Sequence, residues 1–157
     1  MLETLPLQPR LLAMCRIACE VGEVVSLGAA PRGERRFVPL TGGTVSGPEF
    51  SGSVLAGGVD WQLQRSDGTL EIDAHYVLRA HDGALVEVHS AGLRHGPPEV
   101  MARLARGEAV DPAAYFFRTC VRFTTGAPQW AHLNRVMALA VGAREARRVL
   151  LDLYRIG

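Results

Sequence analysis

Asp60, Asp73, His75 and Ser90 are the side chains whose types and spacing first suggest chemistry. Asp73 and His75 lie two residues apart in a run that alternates polar and apolar, so on a strand they share a face. Read as a two-residue turn, the dipeptide Asp67-Gly68 pairs Gln64 with Glu71, Gln62 with Asp73 and Asp60 with His75. Asp82-Gly83, read the same way, pairs His75 with Ser90 and Tyr76 with His89. A carboxylate beside an imidazole orients it and raises its pKa, the minimum for general acid–base work near neutral pH. Asp60 and His75 are therefore the candidate acid–base pair, with Asp73 as the orienting group. The competing reading is the solvated outer face of an amphipathic hairpin.

The opposite face carries Trp61, Leu63, Ile72, Ala74 and Tyr76, so Trp61 and Tyr76 are candidates to line a ligand site. Tyr76, His89 and Glu87 form a rival polar cluster on this apolar side. Arg118 stands in Tyr115-Phe-Phe-Arg-Thr119, where a guanidinium among aromatics suits a carboxylate, phosphate or enolate-like anion. A structural ion pair would use it equally well. Asn134 can donate to a substrate carbonyl oxygen or serve a turn. The histidines form no HxH or HExxH pattern, and the cysteines form no CxxC, so no metal site and no cofactor are expected. The glycines at 42, 43 and 47 lack the GK[ST] of a phosphate loop, and no GxGxxG opens a helix.

The elements that must position these groups are mostly strands. The chain has 157 residues, enough for one domain over 1–157 with its own core. Leu70 to Arg79 and Tyr115 to Phe123 alternate with period two. Arg10 to Val25 reads as one or two strands, Gly28 to Arg36 as a Pro/Gly/Arg-rich loop, and Thr41 to Pro48 as irregular. Pro98 and Glu99 open one short helix to Arg106, with Gly107 beyond its end. Trp130 to Asn134 reads as a turn or short helical segment. About eight short strands separated by turn signals argue for an antiparallel β-barrel with one short helix.

The charge balance limits the partners. Seventeen basic and sixteen acidic residues give a net charge of +1, and both signs are dispersed, so nucleic acid is not an expected partner. No apolar run reaches membrane-spanning length. Glu3, two prolines and a single basic residue before Leu11 do not read as an export signal. The three cysteines are few and odd in number, which fits free thiols in a cytoplasmic protein. Strands with few charges on one face suggest a homo-oligomer, most simply a dimer.

Several segments also carry a family likeness. Leu40-Thr-Gly-Gly-Thr-Val-Ser-Gly-Pro48, Gly57-Gly-Val-Asp-Trp-Gln62 and the two Asp-Gly turns come first. Gly92-Leu-Arg94, Val110-Asp-Pro-Ala-Ala-Tyr-Phe-Phe-Arg-Thr119 and Leu133-Asn-Arg135 follow in order. Together these resemble the domain-of-unknown-function 3237 family, also called uncharacterised protein family 0311, over nearly the whole chain. The resemblance implies a compact antiparallel barrel and supplies no settled activity. The pattern commonly has Arg where His75 stands and Trp where His132 stands. The functional expectation is a small-molecule-binding barrel, acting as a cofactor-independent lyase or isomerase by proton transfer on a small carbonyl or carboxylate compound. The alternatives are a non-catalytic ligand-binding protein and a structural oligomer subunit.

Overall fold

A computed structural model describes residues 7–157. The reading of the chain start as lacking an export signal therefore falls partly on positions 1–6, outside the described residues. Ten strands run β1 Leu11–Val21, β2 Val25–Ala30, β3 Gly33–Ser46, β4 Gly52–Val54, β5 Gly58–Gln64, β6 Leu70–Ala80, β7 Leu85–His95, β8 Phe116–Thr124, β9 Met137–Arg144 and β10 Arg148–Ile156. The order β1-β10-β9-β8-β7-β6-β5-β3 closes through the β3–β1 pairing, giving an eight-strand antiparallel barrel. Two further strands lie outside this closed order: β2 pairs with β3, and β4 bridges β3 and β6 beyond β5.

Closure depends on β3. Residues 34–40 of this strand pair with β5, whereas 42–46 pair with β1. The strand turns this corner at Gly42 and Gly43, whose φ values are +155° and +143°. A Cβ on Gly43 would lie 2.2 Å from the Ala18 carbonyl oxygen, so only glycine lets the strands approach. The expected loop over 28–36 and irregular segment over 41–48 are thus corrected. Both belong largely to β2 and β3. Every residue of β2 is exposed, so no buried face imposes alternation on its sequence.

The two Asp-Gly dipeptides do make hairpins, but each loop holds three residues. Arg65 N–H donates to Thr69 O at 2.9 Å and Gly68 N–H to Arg65 O at 3.1 Å. Gly68 and Gly83 take φ +87° and +92°, a type I turn closed by a left-handed glycine. Asp67 and Asp82 each accept the backbone N–H two residues on, at 2.9 and 3.0 Å. The extra loop residue moves the register by one, so Asp60 pairs with Ala74, and His75 with Val59 and His89. The expected Asp60–His75, His75–Ser90 and Tyr76–His89 pairings are corrected accordingly.

The interior is filled by the inward series of each strand. On β6 this is Leu70, Ile72, Ala74, Tyr76, Leu78 and Ala80, all buried. Each fully buried Leu, Ile or Val contributes roughly 1.5–3 kcal/mol. The expected short helix is α1, Pro98–Ala105, with Gly107 left-handed beyond its end. Its single buried residue, Leu104, reaches the barrel mouth. The other end is stopped by 3-10 turns over Pro128–Arg135. There Trp130 packs on Phe50 and donates to Asp82 Oδ2 at 2.9 Å.

Candidate functional site inside the barrel

Between α1 and Tyr76 the barrel interior holds a cavity of about 210 Å³. Its walls are largely apolar, with Ile72, Leu40, Phe117 and Leu104 among them. Six of its polar groups come from the inward series of five strands. β5 supplies Asp60 and Gln62, β3 Arg36, β7 Arg94 and β9 Arg144, while β6 contributes Tyr76.

Asp60 is the centre of this set. Gln62 Nε2 donates to its Oδ2 at 2.7 Å, and Arg36 Nε donates to Gln62 Oε1 at 2.8 Å. This chain fixes the plane of the carboxyl group and leaves Oδ1 buried with no hydrogen-bond partner among the described residues. Burial pushes the Asp60 pKa up to about 6; the Gln62 hydrogen bond and the charges of Arg94 and Arg144 only partly oppose it. Asp60 makes no direct ion pair among the described residues.

The positive charge in the cavity is in excess. Three guanidiniums line it with one carboxylate; Arg36 also pairs with Glu34 at 3.7 Å, and Arg94 is 8% exposed. Burial, reinforced by Arg144 and Arg36, lowers its pKa to about 10, so it remains a cation at neutral pH. Its guanidinium lies over the Phe117 ring, 5.6 Å from the centroid, and its Nε has no hydrogen-bond partner among the described residues. The Tyr76 hydroxyl is likewise buried without a partner, and burial raises its pKa, so it is a neutral donor. A polar atom left unpaired in an interior costs roughly 1–3 kcal/mol. Asp60 Oδ1, Tyr76 Oη and Arg94 Nε all belong to residues lining this one cavity. The cavity also exposes Cys19, whose thiol burial pushes up to about 12, so it is no thiolate nucleophile.

The groups singled out in the sequence are therefore divided. Asp60 and Tyr76 enter the cavity. Asp73 and His75 point outward from β6, and His89 and Glu87 outward from β7. Asp60 does not meet His75, and the expected convergence of Asp60, Asp73, His75 and Arg118 does not occur, because the one-residue register change puts them on opposite faces. Arg118 also points outward. It lies over the Phe116 ring and donates to the Phe117 carbonyl at 2.9 Å. Trp61 packs outside the barrel against Phe37 and beneath Arg35. Asn134 serves its turn, accepting from Thr125 N–H at 2.8 Å and donating to Thr125 O at 3.0 Å. Ser90, expected with His75, is inside and donates to Thr119 Oγ1 at 2.8 Å.

Arg36, Gln62, Arg94 and Arg144 escaped the sequence reading. A signal for three of them was present. Arg36 continues the inward parity of Val38 and Leu40, Arg94 that of Val86, Val88 and Ser90, and Arg144 that of Ala138 and Ala140. A cation on the apolar parity of three different strands is the mark of a polar site inside a barrel.

Known proteins are similar over the same span. Residues 9–156 match the family model described as protein of unknown function (DUF3237). A UPF0311 protein of Rhodopseudomonas palustris is 40% identical over 140 residues, 89% of this chain and 92% of that one. The crystal structure of a conserved protein of unknown function from the same organism superposes with a TM-score of 0.90 at 36% identity, covering 98% of this chain and 100% of the other. A hydroalkoxylation enzyme of Penicillium herquei is 45% identical over 49 residues, 31% of this chain and 32% of its own. The structure of an enzyme from that fungus has a TM-score of 0.75 at 24% identity, covering 99% of this chain and 100% of that one, which is a likeness of fold.

Proposed function

The chain belongs to the DUF3237 family, and from that premise we propose that its barrel is a lyase or isomerase working by proton transfer on a small carbonyl or carboxylate compound held in the cavity. The observation that carries this reading is the gathering of three unpartnered polar atoms, of Asp60, Tyr76 and Arg94, around one largely apolar cavity. A ligand with an apolar body and one oxyanion or carboxylate would satisfy all three. Its anionic oxygen would meet Arg94 and Arg144, which make no direct ion pair among the described residues. The Tyr76 hydroxyl would donate to a second oxygen. Asp60 Oδ1 would then face the carbon or oxygen that loses or gains the proton.

The energetics favour Asp60 for that role. A carboxyl group titrating near 6 is populated in both forms around neutral pH, so it can give a proton at one atom and take one at another. Gln62 and Arg36 hold it in one orientation. The apolar walls, Leu104 among them, lower the local dielectric, which strengthens each charge interaction. The fungal hydroalkoxylation enzyme lends support by its reaction class. Adding an O–H across a carbon–carbon double bond requires one proton delivered to carbon and one removed from oxygen, and a single carboxyl group can do both. The reading also takes the protein to be cytoplasmic and a homo-oligomer, most simply a dimer.

The test is deuterium exchange. Small carbonyl and carboxylate compounds incubated with the protein in heavy water are read by proton NMR for loss of carbon-bound hydrogen. The reading expects exchange by the wild type that falls at least a hundredfold in Asp60→Asn. Saturable binding without exchange would replace it by the non-catalytic ligand-binding alternative. Absence of both would leave the cavity structural.

A further inference from the structure

The outer wall carries a cluster that the cavity does not use. We propose that Asp73, His75 and His89 form a binding site for a divalent transition-metal ion of the zinc type on the outer face of β6 and β7. The inference is independent of the activity assigned to the interior.

Register assembles the cluster. Outward parity on β6 places Asp73 and His75 two residues apart, and the β6–β7 ladder sets His89 directly opposite His75. The two imidazoles stack with centroids 4.1 Å apart and planes 19° apart. Both Nε2 atoms turn to the same oxygen, Asp73 Oδ1, at 3.5 Å from His75 and 2.7 Å from His89. One ligand atom from each residue lies within 4.8 Å of the others.

That spacing matches a shared ion. Ligands at zinc distances of about 2.0–2.2 Å and tetrahedral angles stand roughly 3.3 Å from one another. The observed separations bracket this value, so a modest rotation of His89 opens the set around one cation. Two imidazoles and a carboxylate are borderline ligands that favour zinc, nickel, cobalt or copper over magnesium and calcium. The side chains are about half exposed, which gives a metal free entry and leaves the remaining position to water. Glu87 precedes His89 in the outward row and lines a groove with His75, so a second carboxylate stands close by. The sequence pattern was silent because the ligands come from two strands joined by a hairpin, whereas the familiar spacings describe one helix or one loop.

Cobalt(II) titration of the untagged chain, followed by its visible d–d absorption, tests the site, with zinc(II) competition as confirmation. The proposal expects one equivalent bound, displaced by zinc, with affinity lowered about tenfold or more in each of His75→Ala, His89→Ala and Asp73→Asn. His81→Ala, on a different outer segment, should bind as the wild type does. All these positions are exposed except His89, which is half-buried, and unchanged far-UV circular dichroism of the metal-free variants establishes that they fold. Failure of the wild type to bind cobalt or zinc, or retention of wild-type affinity by the three ligand variants, would overturn the proposal.

Discussion

At the scale of the residue, the site depends on which way a side chain points. Asp60 and Asp73 are both carboxylates on neighbouring strands, yet one faces the barrel cavity and is pushed up to about 6 while the other lies in solvent. Arg94 illustrates the same dependence. It sits among other cations with Nε unpartnered, an arrangement that burial makes unfavourable. Replacing it with an apolar residue of similar length should therefore leave stability unchanged or raise it by about 1 kcal/mol. We expect Arg94→Met to unfold at equal or higher denaturant concentration while losing binding of small carboxylates. A loss of more than about 2 kcal/mol would mark Arg94 as a structural group instead. Asp60 and Tyr76 were legible as chemistry-bearing residues from the sequence. The arginines were not sought, because their signal lies in strand parity and not in any motif.

At the scale of the element, turn length decided what the sequence could convey. Hairpins at both Asp-Gly pairs, the period-two strands and helix α1 were all readable from local rules. Whether a hairpin loop holds two residues or three was not, since Asp-Gly serves both geometries. That single residue moved Asp60 from the side of His75 to the side of Ala74. β2 and the far half of β3 were unreadable for another reason: exposure and glycine-rich corners erase alternation. The corner itself yields a prediction. Gly43→Ala should destabilise the barrel by about 3 kcal/mol or more, because the new methyl group collides with the backbone of β1 where rotamers offer no relief. Ala substitution at Gly126, where a Cβ meets nothing within 4 Å, is the matched control. Equal denaturation midpoints for the two variants would show that the corner is not tight.

At the scale of the whole molecule, the closed barrel places one carboxyl group in a largely apolar interior with three guanidiniums around it. Its effect on stability has a definite sign. A carboxyl group whose folded pKa lies above its ordinary 3.8 adds stability below that value, and this contribution is lost as pH rises through about 6. The change is on the order of 2–3 kcal/mol. Asp60→Asn should remove that part of the pH dependence and be the more stable protein at neutral pH, as followed by urea unfolding between pH 4 and 8. The central claim is that Asp60 is an interior acid–base group tuned by the barrel around it. Titration of its side-chain carboxyl carbon by carbon-13 NMR, assigned by comparison with Asp60→Asn, tests this most directly. The account predicts a midpoint near 6; a midpoint near the ordinary 3.8 would contradict it.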